Sequence, residues 1–554
     1  MLYGLVLMLT GTFAARRGDL ALVLRWAAAA FVAFAIAGLV TRLWPATFPI
    51  SGGVLPERVA FPLTYWNAMG IACALGVVLT LHLTASGAEP RVVRVLAAAA
   101  LAPVAVTLYF TFSRGAIWVL PVGVVLYALL AQPRGLVTAL SAAIPAAIAV
   151  KVAYDADLLA RIGFDSPAAA GQGRHVGVVV VVCSVAATAA RAAVLPLDTR
   201  LERVRLPPRA REALAASVIV ALLGGALVAG APHRIAEARK TFTEGRYYYG
   251  TSDLRTRLTS AVDNGRIGNW RVALDGFDSS PLHGTGAGTY RLTWELHRPA
   301  PPVQMTDGHS LYLETLSELG LPGLVLLLVV LGTLLIGGLR RLGGPERHAH
   351  GAFVAAGAML ALHAGVDWDW EMPALLVWLF GAGGVVLAAR QGSERWGEIS
   401  RTPRIVAALA VLVLALTPAL MWLSQGPLER ASQAFASNDC PTAIDASLDA
   451  IGRFGVRPEP WEVLAYCDAR AGQYALATRA VGAARSRDPH NWRYAYGQAI
   501  VDGVSGRDPR PAAREALRLD PLEPLARTLV RDLDRARGPA RRREVARRAG
   551  IPFG

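Results

Sequence analysis

Along the chain, apolar residues run in blocks rather than alternating with polar ones. Blocks fall at about 1–14, 21–40, 64–83, 95–112, 115–131, 136–153, 175–193, 213–231, 318–339, 351–366, 373–389 and 405–423. Most run for about 18 to 22 residues, the length at which a helix rising about 1.5 Å per residue crosses a hydrocarbon core of about 30 Å. Each block predicts a membrane-spanning helix. The first is short for a bilayer and begins at Met1, so it reads as a helix truncated by a misplaced start. A cleaved signal peptide would place charge before the apolar run, whereas Arg16 and Arg17 follow it.

The pattern changes twice. Residues 232–317 form a long polar segment between two blocks, and after residue 424 a soluble helical pattern takes over. There, Trp461, Leu464, Ala465, Gly472, Tyr474, Ala477, Ala484 and Pro489 fall at the spacings of a tetratricopeptide repeat, whose period is about 34 residues. Asp520-Pro521 repeats Asp488-Pro489 further on. Stacked helix pairs bury one face and leave a concave one, so this part is expected to bind a protein partner or to act as a helical cap. The predicted fold is all-α, a polytopic bundle of about 12 transmembrane helices. Its parts are N-terminal helices over 1–231, a large outer loop over 232–317, further helices over 318–423 and a helical-repeat domain over 424–554.

Composition agrees: 54% of residues are hydrophobic and 18% charged, against roughly 25% charged in soluble domains. A single soluble globule and a disordered chain are both excluded. Four Cys in 554 residues cannot frame a disulfide scaffold. Cys440 and Cys467 read by default as small buried thiols, with pairing open to them in an oxidising space. Lys151 and Lys240 are the only lysines among 56 basic residues, a bias of GC-rich bacterial genomes.

The net charge of +15 does not point to nucleic acid, because its placement has another cause. Loops after the odd-numbered blocks hold Arg16, Arg17, Arg91, Arg94, Arg134, the run from Arg191 to Arg211, Arg340, Arg341, Arg347 and the run from Arg390 to Arg404. That is about 18 arginines, against about five in the alternate short loops, and positive loops stay inside. The odd loops are therefore expected in the cytoplasm, with 232–317 and 424–554 outside a bacterial plasma membrane. The stretch from Arg531 to Arg548 holds eight arginines and three acids. It reads as a solvated helix, with lipid phosphate or an anionic glycan as the alternative contact.

The polar phrases are Ser113-Arg114-Gly115-Ala116-Ile117-Trp118 in a tight outer turn, Arg266-Ile-Gly-Asn-Trp270-Arg271, Pro281-Leu-His283-Gly284-Thr-Gly286-Ala-Gly288-Thr-Tyr290, and His309-Ser-Leu-Tyr-Leu-Glu314 leading into Glu318-Leu-Gly320-Leu-Pro-Gly323. In this order they resemble the O-antigen ligase and polymerase superfamily of membrane glycosyltransferases. Tyr65-Trp66-Asn67-Ala68 is similar to that family's aromatic helix entry, and His363 with Asp367 to a late His/Asp pair. The resemblance covers about residues 60 to 390.

The resemblance implies transfer of a glycan from a polyprenyl diphosphate carrier to an acceptor hydroxyl at the outer face, without metal or cofactor. The residue types suit that chemistry. A departing diphosphate gathers negative charge, which arginine answers with paired donors that stay ionised, so Arg266 and Arg114 are the first candidates and Arg271 the third. An attacking hydroxyl must lose a proton near neutrality, which suits the imidazole of His309. Glu314 and Glu318 share a helical face and are expected to orient His309 or an arginine, or to form a solvated stripe. Trp270 and Tyr290 are expected against the substrate. Gly284, Gly286 and Gly288 shape a tight turn and are candidates for phosphate contact through backbone N–H groups. His283, His297 and His363 lack partners at metal-ligand spacing, so no metal site is expected. Tyr247-Tyr248-Tyr249 and Asp367 to Glu371 bring aromatics to the outer interface, where rings anchor in headgroups or stack on sugars.

The expected partners are the lipid-linked donor, an unidentified hydroxyl acceptor, the bilayer and a protein partner through 424–554. A polymerase that extends carrier-linked repeats fits the same phrases. A transporter or a non-catalytic assembly scaffold is the alternative from another class.

Overall fold

The computed structural model describes residues 2–13, 18–50, 57–162, 166–203, 231–244, 252–299, 304–388 and 401–552. Its elements are helical; among the described residues the one β feature is an isolated bridge between Arg161 and Asp253. The membrane part comprises α1 (Leu2–Phe13), α2 (Asp19–Leu43), α3 (Trp66–Ala85), α4 (Arg91–Phe110), α5 (Arg114–Ala131), α6 (Ala143–Asp155) and α7 (Pro167–Arg203). The polar segment carries α8 (Ala231–Thr243), α9 (Arg266–Ser279) and α10 (Tyr290–His297). The chain re-enters as α11 (Leu311–Leu339), α12 (Arg347–Ala364) and α13 (Pro373–Ala388), then α14 (Arg401–Ala436). Among the described residues eight helical segments are long and apolar enough to cross a membrane, and α1 and α13 are shorter apolar helices. The protein is a multi-pass membrane helix bundle. The block expected at 213–231 and the tyrosine run at 247–249 lie outside the described residues.

Helix α3 sits at the centre, with 94% of its apolar window buried. Its sequence is rich in Ala and Gly because lipid offers no hydrophobic drive between helices, so association depends on close backbone approach. Gly70 lies against Ser113 and Ala116 at the start of α5, and Gly351 of α12 lies against Ala131 at its end. Side chains such as Trp118, Ile144 and Leu326 point outward and are exposed, as a lipid-facing surface requires.

Contacts between loops gather at two ends of the bundle. Gly18 N–H donates to Glu346, Ser86 bonds His348 and Arg347 donates to Leu130 O, which gathers odd loops at one end. At the other end Arg42 donates to Glu57 O and Leu159 O. The arginine run does not begin in a loop, however. Helix α7 continues to Arg203, and Arg191 is fully buried, donating to Thr84 O and Asp198, which also pairs with Arg94. Arg191 and Asp198 are two helical turns apart on one face, so the acid neutralises the arginine and lets α7 extend past its apolar block.

Past the membrane, α14 runs without a break from its apolar block to Ala436, so no loop marks residue 424. An array follows: α15 (Cys440–Phe454), α16 (Glu459–Arg470), α17 (Tyr474–Arg487), α18 (Trp492–Ser505), α19 (Arg510–Leu519), α20 (Pro524–Arg535) and α21 (Pro539–Arg548). Asp439 caps α15 by accepting from Thr442 N at 3.2 Å, and Asn491 caps α18 in the same manner. Phe435, Tyr466, Trp492, Tyr496 and Leu529 fill its core.

Cys440 and Cys467 form a disulfide with a Cα–Cα distance of 5.4 Å, which replaces the buried-thiol reading. Cys440 begins α15 and Cys467 lies in the last turn of α16, a sequence separation of 27. Closing such a loop contributes about 3–4 kcal/mol. Cys440→Ser is expected to lower the array's melting temperature by several degrees, measurable as a shift that added reductant reproduces in the wild type and not in the variant.

The array also touches the polar segment. Arg298, just after α10, donates from Nη2 to both oxygens of Asp520 at 2.8 Å, with both side chains buried. Glu295 lies beside them, paired with Arg291 at 3.3 Å. Burial, with Asp520 nearby, pushes its carboxyl from 4.5 up to about 7 against the pull of Arg291, Arg298 and Trp492. A raised carboxyl favours the docked state while protonated, so that contribution is full below pH 4.5 and lost as pH rises through about 7. Docking is expected to weaken over that window, and Glu295→Gln to flatten the dependence of the melting temperature on pH.

Candidate functional site

The even loops and the polar segment meet at one end of the bundle, around the carboxylate of Asp367. Asp367 follows α12 and is buried. Tyr65, whose backbone begins α3, donates its hydroxyl to Oδ1 at 2.7 Å, and Asn67 in the first turn donates to Oδ2 at 2.6 Å. From the opposite side Arg266, the first residue of α9, donates from Nη2 to Oδ2 at 2.7 Å and from Nε to Val366 O at 2.7 Å. Trp368 stacks on Tyr65 with ring centroids 4.6 Å apart. Burial alone would raise the Asp367 carboxyl, but Arg266, His363 and His309 outweigh it and hold it below the usual range. Burial likewise opposes the Arg266 charge, and Asp367 and Tyr65 more than restore it. This is a fixed, ionised pair, and the remaining Nη1 of Arg266 donates to Asp263 O at 3.4 Å.

The late His/Asp pair is rearranged relative to expectation. His363 lies 2.9 Å from Asp369, while Asp367 is taken by Arg266. Trp368, between the two aspartates in sequence, packs on Tyr65. Gly115 lies where a Cβ would meet the His363 ring, so the Ser113-Arg114-Gly115 phrase admits the imidazole.

His309 lies just before Ser310, the cap of α11, whose hydroxyl accepts from Leu313 N. Its Nδ1 is 2.6 Å from Asp307, and its backbone is left-handed at φ 51°, a conformation uncommon for a residue with a Cβ. Three contacts hold that turn. Glu314 accepts from Gly308 N at 2.7 Å, the Trp270 indole donates to His309 O at 3.3 Å, and Tyr290 packs beside Gly308. With Nδ1 engaged by Asp307, Nε2 is the nitrogen left for a substrate proton, and the ring is partly exposed.

Several expected substrate contacts belong instead to the scaffold. Gly284, Gly286 and Gly288 have φ of 67°, 115° and 74°, and their N–H groups donate to Ser280 O, Glu318 O and the Glu318 carboxylate. Those amides are used internally, so the run is a bracket fastened to α11 and not a phosphate cradle. A side chain at Gly284 would collide with the Glu318 carbonyl. Glu318 also accepts from Tyr290 N at 2.8 Å, so it holds the bracket and does not orient His309. Glu314 acts on His309 only through Gly308. Tyr290 is buried, its hydroxyl donating to Asn269 O at 2.9 Å.

Arg114 donates to Ser260 O and Val262 O, bracing the chain that leads into α9. Arg271 is exposed on α9. Arg58, not singled out in the sequence, is buried with its guanidinium 3.7 Å over the Trp66 ring. Burial and neighbouring Arg257 push it down to about 8, and among the described residues no carboxylate lies within ion-pair distance. A sequence signal existed: arginines are sparse in the even loops, so Arg58 breaks the trend as Arg114 does. Asp307 and Asp369 gave no signal beyond proximity to a histidine.

Residues 176–328 match the family model described as O-antigen ligase. The match takes in α9, α10, the glycine bracket, His309 and the start of α11. It supports the O-antigen ligase superfamily and a role in membrane glycosyl transfer. No curated protein matches the chain.

Proposed function

We propose that this protein, whose residues 176–328 match the O-antigen ligase family, transfers a glycan from a polyprenyl diphosphate carrier to an acceptor hydroxyl at the outer face of the plasma membrane. The observation that carries the reading is the meeting of Arg266–Asp367 with His309–Asp307, joined by Trp270 of α9, whose indole donates to His309 O at 3.3 Å. The acceptor oxygen bonds to the anomeric carbon as the bond from that carbon to the diphosphate oxygen breaks. Nε2 of His309 takes the hydroxyl proton, and Asp307 on Nδ1 fixes the tautomer and answers the imidazolium. Arg266 and buried Arg58 answer the charge on the departing polyprenyl diphosphate, which makes a metal unnecessary. Arg114 holds the chain before Arg266 in place.

Sidedness draws support from the disulfide Cys440–Cys467, because such bonds persist in oxidising spaces outside the cytoplasm. The array over 424–554 is read as tetratricopeptide-like, with a surface for the acceptor or an assembly partner. The test is transfer by purified protein in liposomes, with a polyprenyl diphosphate glycan, candidate acceptors and a chelator. Transfer that persists under the chelator supports the reading. Absence of transfer to every acceptor by folded protein counts against it and in favour of a transporter or scaffold. Product length separates the ligase from a polymerase, since a polymerase returns lengthened carrier-linked chains.

A further inference from the structure

Helix α10 has two working faces. Tyr290 and Trp294, one turn apart, point inward and pack with Val272 and Ala273 of α9 and with Met305 and Leu313. Through them α10 touches both halves of the site: the Tyr290 hydroxyl is bonded to Asn269 O in the first turn of the helix that Arg266 begins, and its ring lies against Gly308 beside His309. On the other face Arg291 and Glu295, followed by Arg298, are directed at the array. Arg298 meets Asp520 with side chains 1% and 0% exposed. Glu295 is buried beside this pair, 3.3 Å from Arg291, and α10 packs against α19 of the array.

A buried ion pair adds little net stability over an apolar contact, yet it tolerates one register only, because either partner alone is left as an unneutralised buried charge. Such a pair between parts of the chain 222 residues apart fixes position rather than supplying adhesion. We propose that Arg298 and Asp520 are positioning residues of the transfer site: the array holds α10, and α10 holds the turn that carries His309 in its left-handed conformation. The C-terminal array is thus a structural part of the catalytic centre. This rests on the transferase reading for its catalytic consequence, though not for its mechanical one.

The experiment uses the full chain in nanodiscs, with Asp520→Asn, Arg298→Met and the exchanged pair Arg298→Asp with Asp520→Arg. Retention of the Cys440–Cys467 disulfide and of the helical signal identifies folded protein. Amide hydrogen exchange is read at Gly308, whose N–H is bonded to Glu314, and at residues 309 and 310. Each folded single variant is expected to exchange there at least tenfold faster, with kcat per folded molecule at least tenfold lower, donor KM within about twofold, and partial recovery of both in the exchanged pair. Unchanged exchange at Gly308 overturns the proposal. Faster exchange with wild-type kcat overturns the positioning role and leaves only a structural joint. Faster exchange in a protein whose wild type transfers nothing supports the joint and refutes the transferase reading, so the two failures are distinct.

Discussion

Asp367→Ala is expected to reduce transfer by about three orders of magnitude and to destabilise its end of the bundle by about 3–5 kcal/mol. The size follows from how much depends on one carboxylate. Its loss strands the Arg266 charge and removes the acceptor for Tyr65 and Asn67 together. Those residues come from two separate helix entries, so the variant loosens α3, α9 and the turn after α12 at once. Asp367→Asn keeps the shape and the bond from Tyr65, and it should restore most of the folded yield without restoring transfer. Melting in detergent and transfer per folded molecule separate the two effects. Wild-type transfer by folded Asp367→Ala would remove the cluster from the mechanism.

His309→Ala is expected to lower kcat by about 10²- to 10⁴-fold with little change in donor KM, because a general base acts on the transition state and not on donor binding. Asp307→Asn should cost less, since it removes the orienting partner and leaves the imidazole. Added imidazole should return part of the activity of His309→Ala, as the cavity left by the ring stands beside an intact Asp307. A variant that loses donor binding instead, measured by titration with a lipid diphosphate, would assign His309 to binding.

How much of this was visible in the sequence depends on the range of the interactions. The membrane helices were legible because a span is a local property of about 20 apolar residues. Arg266 and His309 were legible as elements of ordered phrases. Their partners were not: Asp367 could equally have met His363, and only the packing of α3, α9 and α12 decides for Arg266. The glycine run was legible as a tight turn, but whether its N–H groups were free for phosphate was not, because free and occupied N–H groups look alike in sequence and the occupant, Glu318, lies 30 residues from Gly288. The continuation of α7 was hidden for the same reason, since Arg191 looks solvated until Asp198 turns to meet it.

The unbroken course of α14 from the bilayer to Ala436 has a bearing on how such a chain can change length. A helix advances about 100° per residue, so adding one residue between the apolar block and the array would swing Asp520 roughly a quarter-turn about the α14 axis. Adding about seven returns the phase but lifts the array about 10 Å from α10. Rotational phase and height are thus locked to a single value, and natural variation in length should be absent from the stalk and concentrated at the far helices, where no angle is carried back to the membrane.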